Sequence, residues 1–143
     1  MPDFSSATYQ LTSDPVAATF HASSEHTQPL RVAINGFGRI GRLMLRNTLQ
    51  RKDATVVAVN DPFVTLEYAA YMLTYDTVHG KLNADIKVDA EHNALIINGQ
   101  TVNFYAEKEP INIPWGKNRV DVVAEATGVF TTSAKCQAHL DAG

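Results

Sequence analysis

The chain has 143 residues, 45% of them hydrophobic, and 12 Lys and Arg against 15 Asp and Glu give a net charge of −3. A chain of this size buries about two thirds of the surface its unfolded form exposes, which is enough for one core without disulfides or metal. The basic residues are dispersed, which argues against nucleic acid or an anionic membrane as a partner, and the single cysteine, Cys136, precludes an intrachain disulfide or a cysteine-built zinc site.

No apolar run approaches the roughly 20 residues of a membrane helix. The beginning of the chain has neither the basic start and apolar centre of a secretory signal nor the basic residues of an organelle presequence, so a cytoplasmic location is expected. Residues 1–29 are rich in Ser, Thr, Ala, His and Pro, with Leu11, Val16 and Phe20 too scattered to define an apolar face; they read as a disordered or loosely packed extension. Within it, Asp14-Pro15 resembles an N-cap followed by proline at the first helical position and allows a short helix over 16–22.

Arg31-Val32-Ala33-Ile34-Asn35 is a compact apolar run that ends at a glycine, as a buried parallel strand does. Gly36-Phe37-Gly38-Arg39-Ile40-Gly41 follows, and then Ile40, Leu43, Met44 and Asn47 at spacings of three and four predict a helix that fades near Arg51-Lys52-Asp53. Val56-Val57-Ala58-Val59-Asn60-Asp61 is a second buried strand, which completes one β-α-β unit. Leu66, Ala69, Ala70, Met72 and Leu73 predict a further helix ending before Thr74.

The middle of the chain changes style. Ile86-Lys87-Val88, Leu95-Ile96-Ile97 and Val102-Asn103-Phe104-Tyr105 read as short antiparallel strands, an insertion or an edge, with Asn98-Gly99 as a hairpin turn because both residues tolerate positive φ. Beyond Pro114-Trp115-Gly116, the run from Val120 to Ala126 is another sheet strand, and a helix is expected from about Ser133 to Leu140. A closing Asp141-Ala142-Gly143 normally leads into a further element, so the domain reads as truncated on its C-terminal side.

A lone GxGxxG is weak evidence, since the same glycines serve ordinary tight turns and close packing. Here the glycines follow a strand, open a helix, and precede Asp61, at the end of the next strand. In that context Gly36 permits the turn, Gly38 lets the backbone approach a pyrophosphate, and Gly41 lets the helix lie close to the strand. The amides of Arg39 and Ile40 would face the anion. Asp61 would accept the hydroxyls of an adenosine ribose and repel a 2′-phosphate, which favours NAD over NADP. The strand ending at Ala126 would lie beside the first, on the side opposite the second, so Thr127 and Gly128 would face the cofactor and Phe130 would line the adenosine pocket. The alternative is a strand-to-helix turn that merely needs a small residue.

Ile34-Asn35-Gly36-Phe37-Gly38-Arg39-Ile40-Gly41-Arg42, Val59-Asn60-Asp61-Pro62-Phe63, Tyr75-Asp76-Thr77-Val78-His79-Gly80, Pro114-Trp115-Gly116 and Ala126-Thr127-Gly128-Val129-Phe130-Thr131-Thr132 together resemble phosphorylating, NAD-dependent glyceraldehyde-3-phosphate dehydrogenase in order and spacing. The resemblance covers Leu30 to Gly143. It implies an α/β, Rossmann-type, doubly wound and mostly parallel sheet with a small antiparallel insertion. Residues 30–143 would be part of the NAD-binding domain, with the catalytic domain absent. Asn35, Arg39, Ile40 and Asp61 match the family's cofactor positions, and Lys108 falls where a basic residue's backbone lies near the adenine. Val78 and Ala126 depart from the Ser or Thr common at their positions.

In the resembled family the catalytic cysteine, its histidine and the phosphate sites lie in later sequence. The resemblance therefore implies no catalytic residue here and no turnover by this chain alone. Three other readings stay open: a non-catalytic nucleotide-binding or interaction module, a homo-oligomer or companion of a full-length homologue, and a portion of an erythrose-4-phosphate dehydrogenase. Cys136 and His139, three apart on a helix, invite a Cys-His nucleophile, but a structural thiol is the better account. His21, His26 and His92 read as solvated, His79 as a loop hydrogen-bonder and Trp115 as a packing anchor. Asp121 and Glu125 read as sharing one face of a strand.

Overall fold

A computed structural model describes residues 28–76, 80–128 and 132–143. The expectations for 1–27, for Val78 and His79, and for Phe130 lie outside these residues. The described elements run β1 (Leu30–Asn35), α1 (Arg39–Thr48), β2 (Ala54–Asn60), α2 (Leu66–Thr74), β3 (Tyr75–Asp76), β4 (Gly80–Lys81), β5 (Ile86–Asp89), β6 (Ala94–Ile97), β7 (Gln100–Tyr105), β8 (Val122–Glu125) and α3 (Ser133–Asp141). Two single 3-10 turns, Pro110–Asn112 and Gly116–Asn118, lie between β7 and β8.

Six strands form one sheet in the order β5-β6-β7-β2-β1-β8. β1 pairs in parallel with both β2 and β8, so chain order reverses direction at β1, as in doubly wound sheets. The antiparallel segment β5-β6-β7 is the edge the sequence predicts, and Asn98 and Gly99 carry the expected positive φ of 50° and 82°. Its last strand has a second role, because β7 also pairs in parallel with β2 and so joins the segment to the main sheet.

Residues alternate between two buried faces. Ile34, Val56 and Val59 pack with Phe37, Leu45 and α2 on one face, whereas Ala33, Val57 and Ala58 pack with Ile113 and Trp115 on the other. Val57 and Ala58 share a face because the β1–β2 register slips by one residue: Val32 lies opposite Val56, but Ala33 lies opposite Ala58. This is a bulge in β2, and it reverses the alternation for every residue that follows.

Helix α1 forms where expected, but its buried stripe differs from the one its spacing suggests. Ile40 and Met44 are exposed, while Gly41, Leu45 and Arg46 face inward. The rotation follows from Gly41, whose missing side chain lets the helix settle on the preceding loop. Helix α2 runs through Thr74, one residue beyond the expected end, and the chain then turns into the short antiparallel pair β3–β4, which the sequence reading did not include.

Arg46 explains how this corner is held. Its buried guanidinium donates to the carbonyls of Leu73 (2.9 Å), Thr74 (3.3 Å) and Gly80 (2.8 Å), taking up the end of α2 and the start of β4. No described helix is long and apolar enough to cross a membrane. Arg46→Met keeps much of the side-chain volume but strands these carbonyls. It should lower unfolding free energy by roughly 2–4 kcal/mol, read from the urea midpoint.

Candidate nucleotide site

The C-terminal ends of β1, β2, β7 and β8 converge, and most of the sequence-predicted positions gather there. The β1–α1 loop is held by the aromatic between its glycines: Phe37 is fully buried and meets Phe104 of β7 edge-on, with ring centres 5.4 Å apart. Gly36 has φ of +100°, and a Cβ there would lie 2.8 Å from the Thr127 nitrogen. Gly36 therefore serves the turn and also the close approach of the loop after β8. A Cβ on Gly41 would lie 2.1 Å from the Gly36 carbonyl oxygen and 3.2 Å from Ile34, so helix and loop touch backbone to backbone.

Gly38 is different. It has an extended conformation with negative φ, and a Cβ there would meet none of the described residues within 4 Å. It is also the N-cap of α1 and offers no side-chain acceptor to the first-turn amides, although Thr65 and Thr132 cap α2 and α3. Arg39 and Ile40, in that first turn, are exposed. The arrangement leaves donor groups facing outward over an open backbone surface, which suits an anion.

Asp61, just past β2, is fixed by backbone donors: its carboxylate accepts from Phe37 N (2.9 Å, Oδ2) and Phe63 N (2.9 Å, Oδ1). A carboxylate has about four lone-pair sites, so two acceptor positions remain. Lys108 is exposed, and its neighbour Glu107 is clamped from both sides by Asn60, which accepts from Glu107 N (2.8 Å) and donates to Glu107 O (2.9 Å).

Asn35 is 2% exposed, with its side chain turned away from the open surface. It accepts from Asn60 Nδ2 (2.8 Å) and donates to Glu125 Oε2 (2.8 Å). Glu125 also accepts from Thr127 N (3.0 Å) and Thr127 Oγ1 (2.6 Å) through Oε1, and from His139 Nε2 (2.6 Å) through Oε2. Behind His139, Trp115 Nε1 donates to Nδ1 at 3.0 Å. Indole N–H can only donate, so the proton of a neutral His139 sits on Nε2.

Sequence reasoning missed this network. It weighed His139 only as a partner for Cys136, yet both ring nitrogens are engaged elsewhere and Cys136 is half-buried. Asp121, expected to share a strand face with Glu125, precedes β8 and accepts from Arg31 N. Trp115 is fully buried, a packing anchor as expected, with a polar task as well. His92 is exposed and bonds Asp89 at 2.8 Å.

A doubly wound sheet with a glycine loop and a strand-end acid at its switch point defines a dinucleotide-binding class of α/β domain. Residues 30–133 match the family model described as "Glyceraldehyde 3-phosphate dehydrogenase, NAD binding domain", and the chain belongs to that family. It is 54% identical over 115 residues to glyceraldehyde-3-phosphate dehydrogenase of Colletotrichum gloeosporioides, 55% over 114 to that of Phaeosphaeria nodorum and 54% over 114 to that of Debaryomyces hansenii. Each match covers 80% of this chain and 33% of the relative, so the chain spans about a third of the length of the curated relatives it matches.

Burial alone pushes the Glu125 carboxyl up, but the hydrogen bonds from Thr127, Asn35 and His139 outweigh it and hold the group below the ordinary carboxylate range. A lowered folded value means that the ionised form stabilises the fold above the ordinary value. The contribution disappears as pH falls through the lower, folded one. The stability gap between the native chain and Glu125→Gln, measured by urea denaturation across pH 7 to 3, should therefore narrow below about 4.5, the ordinary glutamate value.

Proposed function

We propose that residues 30–143 form part of an NAD-binding domain and hold the adenosine and pyrophosphate end of NAD. The observation that carries this reading is the open backbone at Gly38, beside an uncapped helix start and the fixed carboxylate of Asp61. The amides of Arg39 and Ile40 meet the pyrophosphate. Asp61 takes the ribose hydroxyls with its remaining lone pairs, and its charge disfavours a 2′-phosphate. Thr127 and Gly128 form the wall beyond β8, the Lys108 backbone lies toward the adenine, and Asn35 supports the site from beneath.

Bound NAD supplies a hydride acceptor. The residues of this chain bind and orient it, and the reaction we propose for the whole protein is the NAD-dependent oxidation and phosphorylation of glyceraldehyde 3-phosphate, in the cytoplasm. The family match is to the NAD-binding domain alone, and the matched segment is a third of the relative. On that ground the chain by itself turns over no aldehyde.

A second reading, association with a homologous chain, is favoured by one surface. Tyr68, Tyr71 and Tyr75 are each more than half exposed and lie in series, the first pair stacked with ring centres 6.4 Å apart and the second tilted at 5.2 Å. An aromatic ladder of this kind fits a protein interface. Sedimentation should show a mass above that of a monomer, which Tyr71→Lys reduces.

Gly38→Ala separates binding from folding. The added methyl contacts none of the described residues, so the melting temperature should stay within about 2 °C of native, while calorimetric affinity for NAD falls by about tenfold or more. Asp61→Ala should weaken NAD and reduce its preference over NADP. Native affinity in Gly38→Ala would remove the proposed cradle, and measurable aldehyde oxidation by the pure chain would refute its inactivity alone.

A further inference from the structure

We infer that His139 is a positioning residue for the nucleotide site, holding the Thr127–Gly128 turn against the glycine loop through Glu125. The inference rests on the NAD reading above and extends it to a side chain that lies on α3 and is buried away from the open surface.

Thr127 and Gly128 are exposed, Gly128 has φ of +77°, and the backbone bonding of β8 to β1 ends just before them, with Ala126 N donating to Asn35 O at 2.8 Å. Yet this turn stands against Gly36 so closely that a Cβ there would meet the Thr127 nitrogen at 2.8 Å. A displacement of a few tenths of an ångström is felt directly by the loop that would cradle the pyrophosphate. Glu125 Oε1 holds the turn at two points, the Thr127 amide and hydroxyl, and the direction of that carboxylate is set at Oε2 by Asn35 and His139.

Four donors thus fill the four lone-pair sites of Glu125, two on each oxygen. Asn35 is itself fixed by Asn60 within the sheet. His139 brings the constraint from outside the sheet: its ring is 6% exposed and stands between Glu125 and the fully buried Trp115. Its two nitrogens do opposite jobs, Nε2 donating and Nδ1 accepting. Removing the ring leaves one buried indole N–H and one carboxylate lone pair without partners, and the carboxylate loses the contact that orients it.

A glutamine can imitate both roles, because its carbonyl accepts and its amide donates at nearly the separation of the two ring nitrogens. The test compares NAD binding by calorimetry in the native 143-residue chain, His139→Ala, His139→Gln and Val102→Ala. Val102 is a buried core residue of β7 and controls for a simple loss of stability. All titrations are made at a temperature where melting curves show each variant folded.

The expected result is an affinity reduced about tenfold in His139→Ala, restored to within about threefold of native in His139→Gln, and unchanged in Val102→Ala. The chain has one tryptophan, so its indole N–H gives a single magnetic resonance signal. In the native protein that signal should shift on NAD addition with the same half-saturation as the calorimetry.

Native affinity in His139→Ala, a matching loss in Val102→Ala, no recovery in His139→Gln, or an indole signal unmoved at saturating NAD would each overturn the inference. If His139→Ala does not fold, the glutamine variant and the indole titration decide the matter. Failure of the native chain to bind NAD overturns the cofactor reading first, and is told apart because no variant is needed to see it.

Discussion

Asn35, at the end of the central strand β1, ties together the ends of the two strands that flank it. Its side-chain carbonyl oxygen accepts a hydrogen bond from Asn60 at the end of β2, and its amide donates one to Glu125 at the end of β8. Asn60 extends the seam to Glu107 past β7, and Glu125 extends it to α3. Four strand termini are thereby tied at the height where the open loops begin. Buried amides are stabilising only when every polar atom is used, and no buried side-chain polar atom among the described residues lacks a partner. The loops above need no internal order of their own, because the surface they leave is already fixed in relative position.

The three glycines of the loop divide their work unequally. Gly36 and Gly41 are fold residues first: one takes a conformation that L side chains rarely adopt and stands against Thr127, and the other lies against a carbonyl oxygen. Gly38 has ordinary negative φ and free space around it. Among the described residues nothing requires a glycine at position 38, which is why that position speaks for a ligand while the other two speak for packing. Phe37, set among them, converts a mobile type of sequence into an anchored one by burying its whole ring.

The parts of the fold that were legible in the sequence are those whose information is local. The runs at Val32 and Val56, the glycine spacing, Asn98-Gly99 and Asp61 each announce themselves within a few residues. The buried face of α1 did not, because hydrophobic spacing weighs Ile40 and Met44 heavily and gives Gly41 no weight, whereas close backbone contact reverses that ranking. Arg46 reads as a surface base until the carbonyls of Leu73, Thr74 and Gly80 are brought over it. The partnership of Glu125, His139 and Trp115 spans 14 and 24 residues and leaves no periodic trace. Such contacts exist only once the sheet has set its register.

Register is also where the β2 bulge matters. Without the slip at Val32/Ala33, Asn35 would lie opposite Val59, and Asn60 would point to the apolar face shared by Ile34 and Phe37. With it, Asn35 lies opposite Asn60 and both side chains emerge on the face of Trp115 and Glu125, where donors and acceptors are available. The same slip fixes the end of β2: Gly36 N bonds Asn60 O, Asp61 N bonds Tyr105 O, and the carboxylate of Asp61 reaches Phe37 N. One extra residue in a strand therefore aligns the acid, the glycine loop and the buried amides together. A deletion that removed it would shift all three at once, even with every site residue still present.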